Sequence, residues 1–183
     1  MWRLGTVLAL GLAAGGMGLA GSAASSGGSS PCRPATVQYT PYLGTGSGLS
    51  SLPWVAGKPG PPGLVGLLWY WPEKWRTRQV RAALIFAGGH VDGPRSASTK
   101  ILWVFTAPEA KGLGGIRLTV RGRRLDRPGA FRQSFVAISY KGQNEAPSYA
   151  SIVTVPKPGC WRLDVSTRSL RSSVVFRAIP RMR

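Results

Sequence analysis

The segment Tyr149-Ala-Ser-Ile-Val-Thr-Val-Pro-Lys-Pro-Gly-Cys-Trp-Arg-Leu-Asp-Val-Ser166 leaves the chain few options. Its two halves are rich in β-branched and aromatic residues, and a Pro/Gly turn separates them. Two prolines within three residues forbid a continuous helix, so the segment reads as strand, turn, strand. In Cys160–Val165 the residues alternate: Trp161, Leu163 and Val165 share one face, and Cys160, Arg162 and Asp164 the other. A third run, Ser173–Ile179, sets Val174, Phe176 and Ala178 against Val175, Arg177 and Ile179. One face of this unit is built for a core and the other for solvent.

The same signature recurs upstream. Ala35–Thr40 predicts a short first strand, and Pro41–Gly63 a long loop whose apolar island, Leu52–Ala56, suits an edge strand. Leu64–Trp71 is a continuous apolar run stopped by Pro72, a buried strand in which Trp69 and Trp71 fill the core. Val80–Ala87 and Lys100–Ala107 follow, ended by glycines and by Pro108. Ile116–Arg121 alternates, with Ile116, Leu118 and Val120 inward and Arg117, Thr119 and Arg121 outward, and Phe131–Tyr140 is the next strand. About seven to nine short strands with turn signals between them, and no amphipathic helix, predict an all-β fold: an antiparallel β-sandwich over residues 35–180, with a small barrel as the alternative.

The run Pro156-Lys-Pro-Gly-Cys-Trp-Arg-Leu-Asp-Val165, with apolar strands on either side, resembles the closing segment of immunoglobulin-like domains in uncharacterised bacterial secreted proteins. The resemblance implies an Ig-like sandwich and secretion, and it carries no catalytic residues. The chain departs from antibody-type domains, because its two cysteines are too distant in sequence for the usual bond between sheets.

The N-terminus supports export. Met1-Trp-Arg3 is a positive start, Leu4–Ala20 is apolar, and Gly21-Ser22-Ala23 and Ser22-Ala23-Ala24 satisfy the small-x-small rule. Residues 1–24 are expected to be a signal peptide, formed as a helix and cleaved after Ala23 or Ala24. The alternative is an uncleaved helix anchoring an extracytoplasmic domain. Residues 25–34 read as a Ser/Gly/Pro-rich flexible linker. In an exported chain the pair Cys32 and Cys160 is most simply a disulfide. Closing a loop of that length would contribute up to about 5 kcal/mol through the unfolded chain.

Charge is the compositional outlier: 24 Lys and Arg against 6 Asp and Glu give +18. Such a chain is drawn to polyanions. The densest basic stretch holds Arg117, Arg121, Arg123, Arg124, Arg127 and Arg132. If Gly122–Gly129 is a hairpin turn, these arginines share one edge and form a candidate anion-binding surface, since guanidinium forks pair with phosphate or carboxylate. Tyr70 and Trp75, in the run Trp69-Tyr-Trp-Pro-Glu-Lys-Trp75, are the candidate aromatic contacts for a carbohydrate, with Trp75 exposed between Lys74 and Arg76.

Nothing else points to chemistry. His90 and Asp92 alone cannot make a zinc site, the six acids show no pairing, and no Gly-x-Ser-x-Gly elbow or phosphate loop is present. The expectation is a non-catalytic binding module without cofactor or metal, secreted or extracytoplasmic. Its partner is an anionic cell-wall polymer or membrane surface, with carbohydrate as the alternative. Nucleic acid is disfavoured by export and by the lack of a recognition motif. The intact mass of the exported protein should show the leader gone and, relative to the reduced chain, about two hydrogens missing; two free thiols under denaturing, non-reducing conditions would remove the disulfide from this account.

Overall fold

The computed structural model describes residues 32–42, 51–59, 63–88, 99–106, 117–137 and 148–180. The leader, the His90/Asp92 pair and Ile116 lie outside them. The described residues form nine strands and one short helix: β1 (Trp54–Ala56), β2 (Leu64–Leu68), α1 (Glu73–Thr77), β3 (Leu84–Phe86), β4 (Lys100–Phe105), β5 (Leu118–Arg124), β6 (Ala130–Phe135), β7 (Ser148–Ile152), β8 (Gly159–Ser166) and β9 (Arg171–Ile179). They make two sheets, one ordered β1-β2-β4-β7 and the other β3-β9-β8-β5-β6.

The inner faces of the two sheets share one apolar core. Leu64, Leu68, Ile101, Trp103, Phe105 and Tyr149 come from the first sheet; Leu118, Val120, Trp161, Leu163, Val165, Val174 and Phe176 come from the second. The alternation expected for β5, β8 and β9 is observed, with these inward residues buried and their neighbours more open, except Cys160, which is buried in its disulfide. By contrast β2 and the last five residues of β4 are buried throughout. A second apolar cluster explains this: Val65, Leu67, Leu102 and Val104 pack on the sheet's other face with Leu52 and Trp54. Strands covered on both faces need no polar positions, so their sequences run apolar without alternation. Some polar groups inside are matched: Trp103 Nε1 donates to Ser151 Oγ at 2.8 Å, and Ser151 Oγ donates to the Ile101 carbonyl at 3.0 Å, whereas the buried Tyr149 hydroxyl has no hydrogen-bond partner among the described residues.

Several expectations are corrected. The segment from 35 to 40 makes only two isolated bridges, Thr36 with Ala82 and Gln38 with Trp54, instead of a strand. The pairing is not wholly antiparallel: β3 runs parallel to β9. A parallel pair needs a long crossover, and nearly the whole domain between these two strands provides it. The Pro156–Gly159 turn does not join partners in one sheet, since β7 pairs with β4 and β8 with β5 and β9. Pro72, at the helix N-cap with φ −67°, starts the one helical turn that the strand reading lacked.

The hairpin placed at Gly122–Gly129 is shorter than expected. β5 continues to Arg124, and Gly122 lies opposite Phe131. A Cβ built on Gly122 would sit 1.9 Å from the Phe131 ring, so the ring closes over the bare backbone and reaches Trp161 at 5.5 Å. Cys32 and Cys160 are bonded, with S–S 2.06 Å and Cα–Cα 5.6 Å. Gly122→Ala is expected to cost about 1–3 kcal/mol in denaturant unfolding, because the new methyl overpacks against the ring. The same substitution in a Phe131→Ala background should cost much less; an equal cost in both backgrounds would show that the ring is not the cause.

Candidate functional site

Ladder register places side chains from three strands on the outer face of the second sheet. Directly opposed residues of antiparallel strands project to the same side. In β5 against β8, Thr119 faces Ser166, Arg121 faces Asp164 and Arg123 faces Arg162. In β8 against β9, Asp164 faces Ser173 and Ser166 faces Arg171. On the other flank of β5, Arg121 faces Arg132 of β6. Lys58 joins this surface from outside the sheet. Its N–H donates to the Ser173 carbonyl at 2.8 Å, and the Ser173 N–H donates back at 2.9 Å. Gly57 makes that approach possible, since a Cβ there would fall 2.1 Å from Ser172 Oγ.

The result is an open groove of about 780 Å³ whose lining includes Lys58, Arg117, Arg121, Arg162, Arg168 and Arg171. All six are exposed. One acid lines it, Asp164, and Arg162 Nε donates to Asp164 Oδ1 at 2.7 Å. Thr119, Ser166 and Ser173 also line it and share its face by register. The sheet also opposes like charges directly in two places, Arg121 with Arg132 and Arg123 with Arg162. Such pairs destabilise a sheet unless counter-charge is supplied.

The predicted arginines divide accordingly. Arg117 and Arg121 line the groove, while Arg123 and Arg132 lie beside it on the same face. Arg124 does not join them. It sits at an inward-facing strand position and is held by Asp126, with Nε donating to Oδ1 at 2.9 Å. That hydrogen bond, chiefly, keeps the Asp126 carboxyl below its ordinary range. Arg127 is exposed in the turn between β5 and β6 and does not line the groove. Lys58, Arg162, Arg168 and Arg171 were missed as partners. Alternation in β8 did mark Arg162 as outward, but nothing local puts β8 beside β5.

Of the two aromatic candidates, Trp75 is buried, against the expectation that it is exposed, and Tyr70 is half-buried. Trp75 is only 8% exposed, on the inward side of α1, stacked on Phe86 at 5.2 Å and edge-on to Trp71 at 4.7 Å. Tyr70 donates its hydroxyl to the Leu84 carbonyl, and burial pushes its phenol well above the ordinary range. Trp69 is the reverse case. It was expected in the core and is 43% exposed, because β2 ends at Leu68 and the chain turns there. The Lys100 Nζ lies 4.4 Å from its ring centroid.

Comparisons with protein families, with curated proteins and with solved structures found no match. The site therefore stands on its own geometry. Replacing Arg132 or Arg123 with Gln removes one member of a like-charge pair. Each change is expected to raise stability by about 0.2–1 kcal/mol at low ionic strength. The gain should vanish in about 1 M salt, where screening acts within about 3 Å. Thermal melts at both salt levels check this, and a loss of stability at low salt would contradict it.

Proposed function

We propose that this chain is an exported, non-catalytic binding module that holds anionic envelope material, a cell-wall polymer or membrane surface, against the outer face of its second sheet. The observation that carries the reading is the groove in which six cations meet one carboxylate. An excess of that size, drawn from three strands, the residue before β5, the turn between β8 and β9 and the Lys58 segment, produces a local positive potential that attracts polyanions.

Export is supported by the three-part N-terminal pattern and by the disulfide, which belongs to an oxidising compartment. An uncleaved leader would keep the domain at the membrane, next to the same ligands. Among the described residues, no helix is long and apolar enough to cross a membrane. The Ig-like assignment draws on the Pro156–Val165 resemblance and on two facing sheets; the parallel β3–β9 pair is where this domain differs from a purely antiparallel sandwich. The carbohydrate alternative rests on Tyr70 and Trp75, of which Trp75 is buried against Phe86 and Tyr70 is half-buried, edge-on to the same ring.

Retention on the organism's own envelope fraction, eluted with a salt gradient, tests the proposal. The domain should bind at low salt and elute at moderate salt, and an Arg121→Gln/Arg171→Gln variant should elute earlier. No retention, or salt-resistant retention released by soluble sugar, would overturn it.

A further inference from the structure

The cationic surface is not uniform. Most of it follows the outer face of the sheet, but the groove is concave and its volume of about 780 Å³ is that of a small-ligand site. Its floor carries hydroxyls at Thr119, Ser166 and Ser173, fixed in adjacent strands by the β5–β8 and β8–β9 registers. Each hydroxyl can rotate its donor toward an anion. The lining's single carboxylate is already answered by Arg162, and no second one in the lining answers Lys58, Arg117, Arg121, Arg168 and Arg171.

We infer that this groove is a receptor site for a phosphate monoester group. The inference rests on the anion-binding reading of the face and narrows it to one chemical class. A carboxylate spreads one charge over two coplanar oxygens and is satisfied by one guanidinium fork. A phosphate diester also carries only one charge. A phosphate monoester carries about −1.5 to −2 near neutral pH on three acceptor oxygens, and accepts donors from several directions at once. The groove offers that arrangement. Guanidinium groups come from β5 and the residue before it, from β8, from the β8–β9 turn and from the start of β9, an ammonium comes from the Lys58 segment, and Thr119, Ser166 and Ser173 line the same groove. A lipid headgroup and the phosphorylated end of a sugar or polymer share this chemistry.

The experiment titrates the purified exported chain with glycerol phosphate, dimethyl phosphate and acetate at fixed ionic strength, at about pH 7.5 and about pH 5.5. Glycerol phosphate should bind saturably and about tenfold tighter than either monoanion. Its affinity should fall several-fold at the lower pH, where the phosphate regains a proton with its second pKa at about 6. The charged groups lining the groove are six Lys or Arg and Asp164, with no histidine among the lining residues, so the change is assigned to the ligand. Arg121→Gln and Arg171→Gln should each weaken binding about fivefold or more, while Arg127→Gln, outside the groove, should not. Vesicles bearing a monoester headgroup and a soluble phosphorylated polysaccharide form a second arm; capture by either supports the site and names its source. Equal affinity for the three small anions, or no effect of pH, would overturn the monoester site. Salt-sensitive envelope retention surviving that result would leave the broader anion reading in place, whereas loss of both would end both.

Discussion

β8 is paired along nearly its whole length with β5 on one side and β9 on the other, and both the core and the groove depend on those two ladders. Alternate side chains of one strand serve opposite purposes here. Trp161, Leu163 and Val165 fill the space between the sheets. Arg162, Asp164 and Ser166 stand in the groove, and Cys160 fastens the N-terminal segment at the strand's start. A shift of one residue in either ladder would exchange these sets and bury charge. The large inward side chains resist that shift. Trp161 also donates its indole N–H to the Lys157 carbonyl at 2.9 Å, tying the strand to the turn that delivers it from the other sheet.

Under the proposed anion binding, this arrangement would couple stability to binding. Opposed arginines on β5, β6 and β8 raise the free energy of the folded state at low salt, each contact modestly, since exposed charges are well solvated. An anion bound there, as proposed, would offset that repulsion and stabilise only the folded form. The disulfide acts from the other direction, by limiting the unfolded chain over a separation of 128 residues. The aromatic group of Tyr70, Trp71, Trp75 and Phe86 completes one part of the core. Two of its polar atoms are engaged: Tyr70 donates its hydroxyl to the Leu84 carbonyl, and Trp71 Nε1 donates to Tyr39 Oη at 3.0 Å, with Tyr39 donating to the Val80 carbonyl at 2.8 Å.

Strand alternation was legible wherever one face meets solvent. The inward and outward sets of β5, β8 and β9 could be read directly, because a half-buried strand imposes a period of two on its own residues. The reading failed where a short element depends on distant contacts. Trp69 and Trp75 look alike in sequence, each beside charged or aromatic neighbours, yet one is exposed and the other stacks on Phe86. Pro72 and one helical turn make the difference. Arg124 illustrates the same limit, since the point where β5 ends decides that it meets Asp126 and not the outer face.

The amino-acid sequence by itself determined the all-β class, the two-faced strands, the cysteine pair and the net charge of +18, because these follow from composition and from local steric and hydrophobic rules. Only the tertiary structure decided which cations act together. Lys58 and Arg171 are far apart in the chain and are brought into one groove by a bridge and by strand order. Strand order is set by how the sheets bury their inner faces, a global packing outcome that no local pattern encodes.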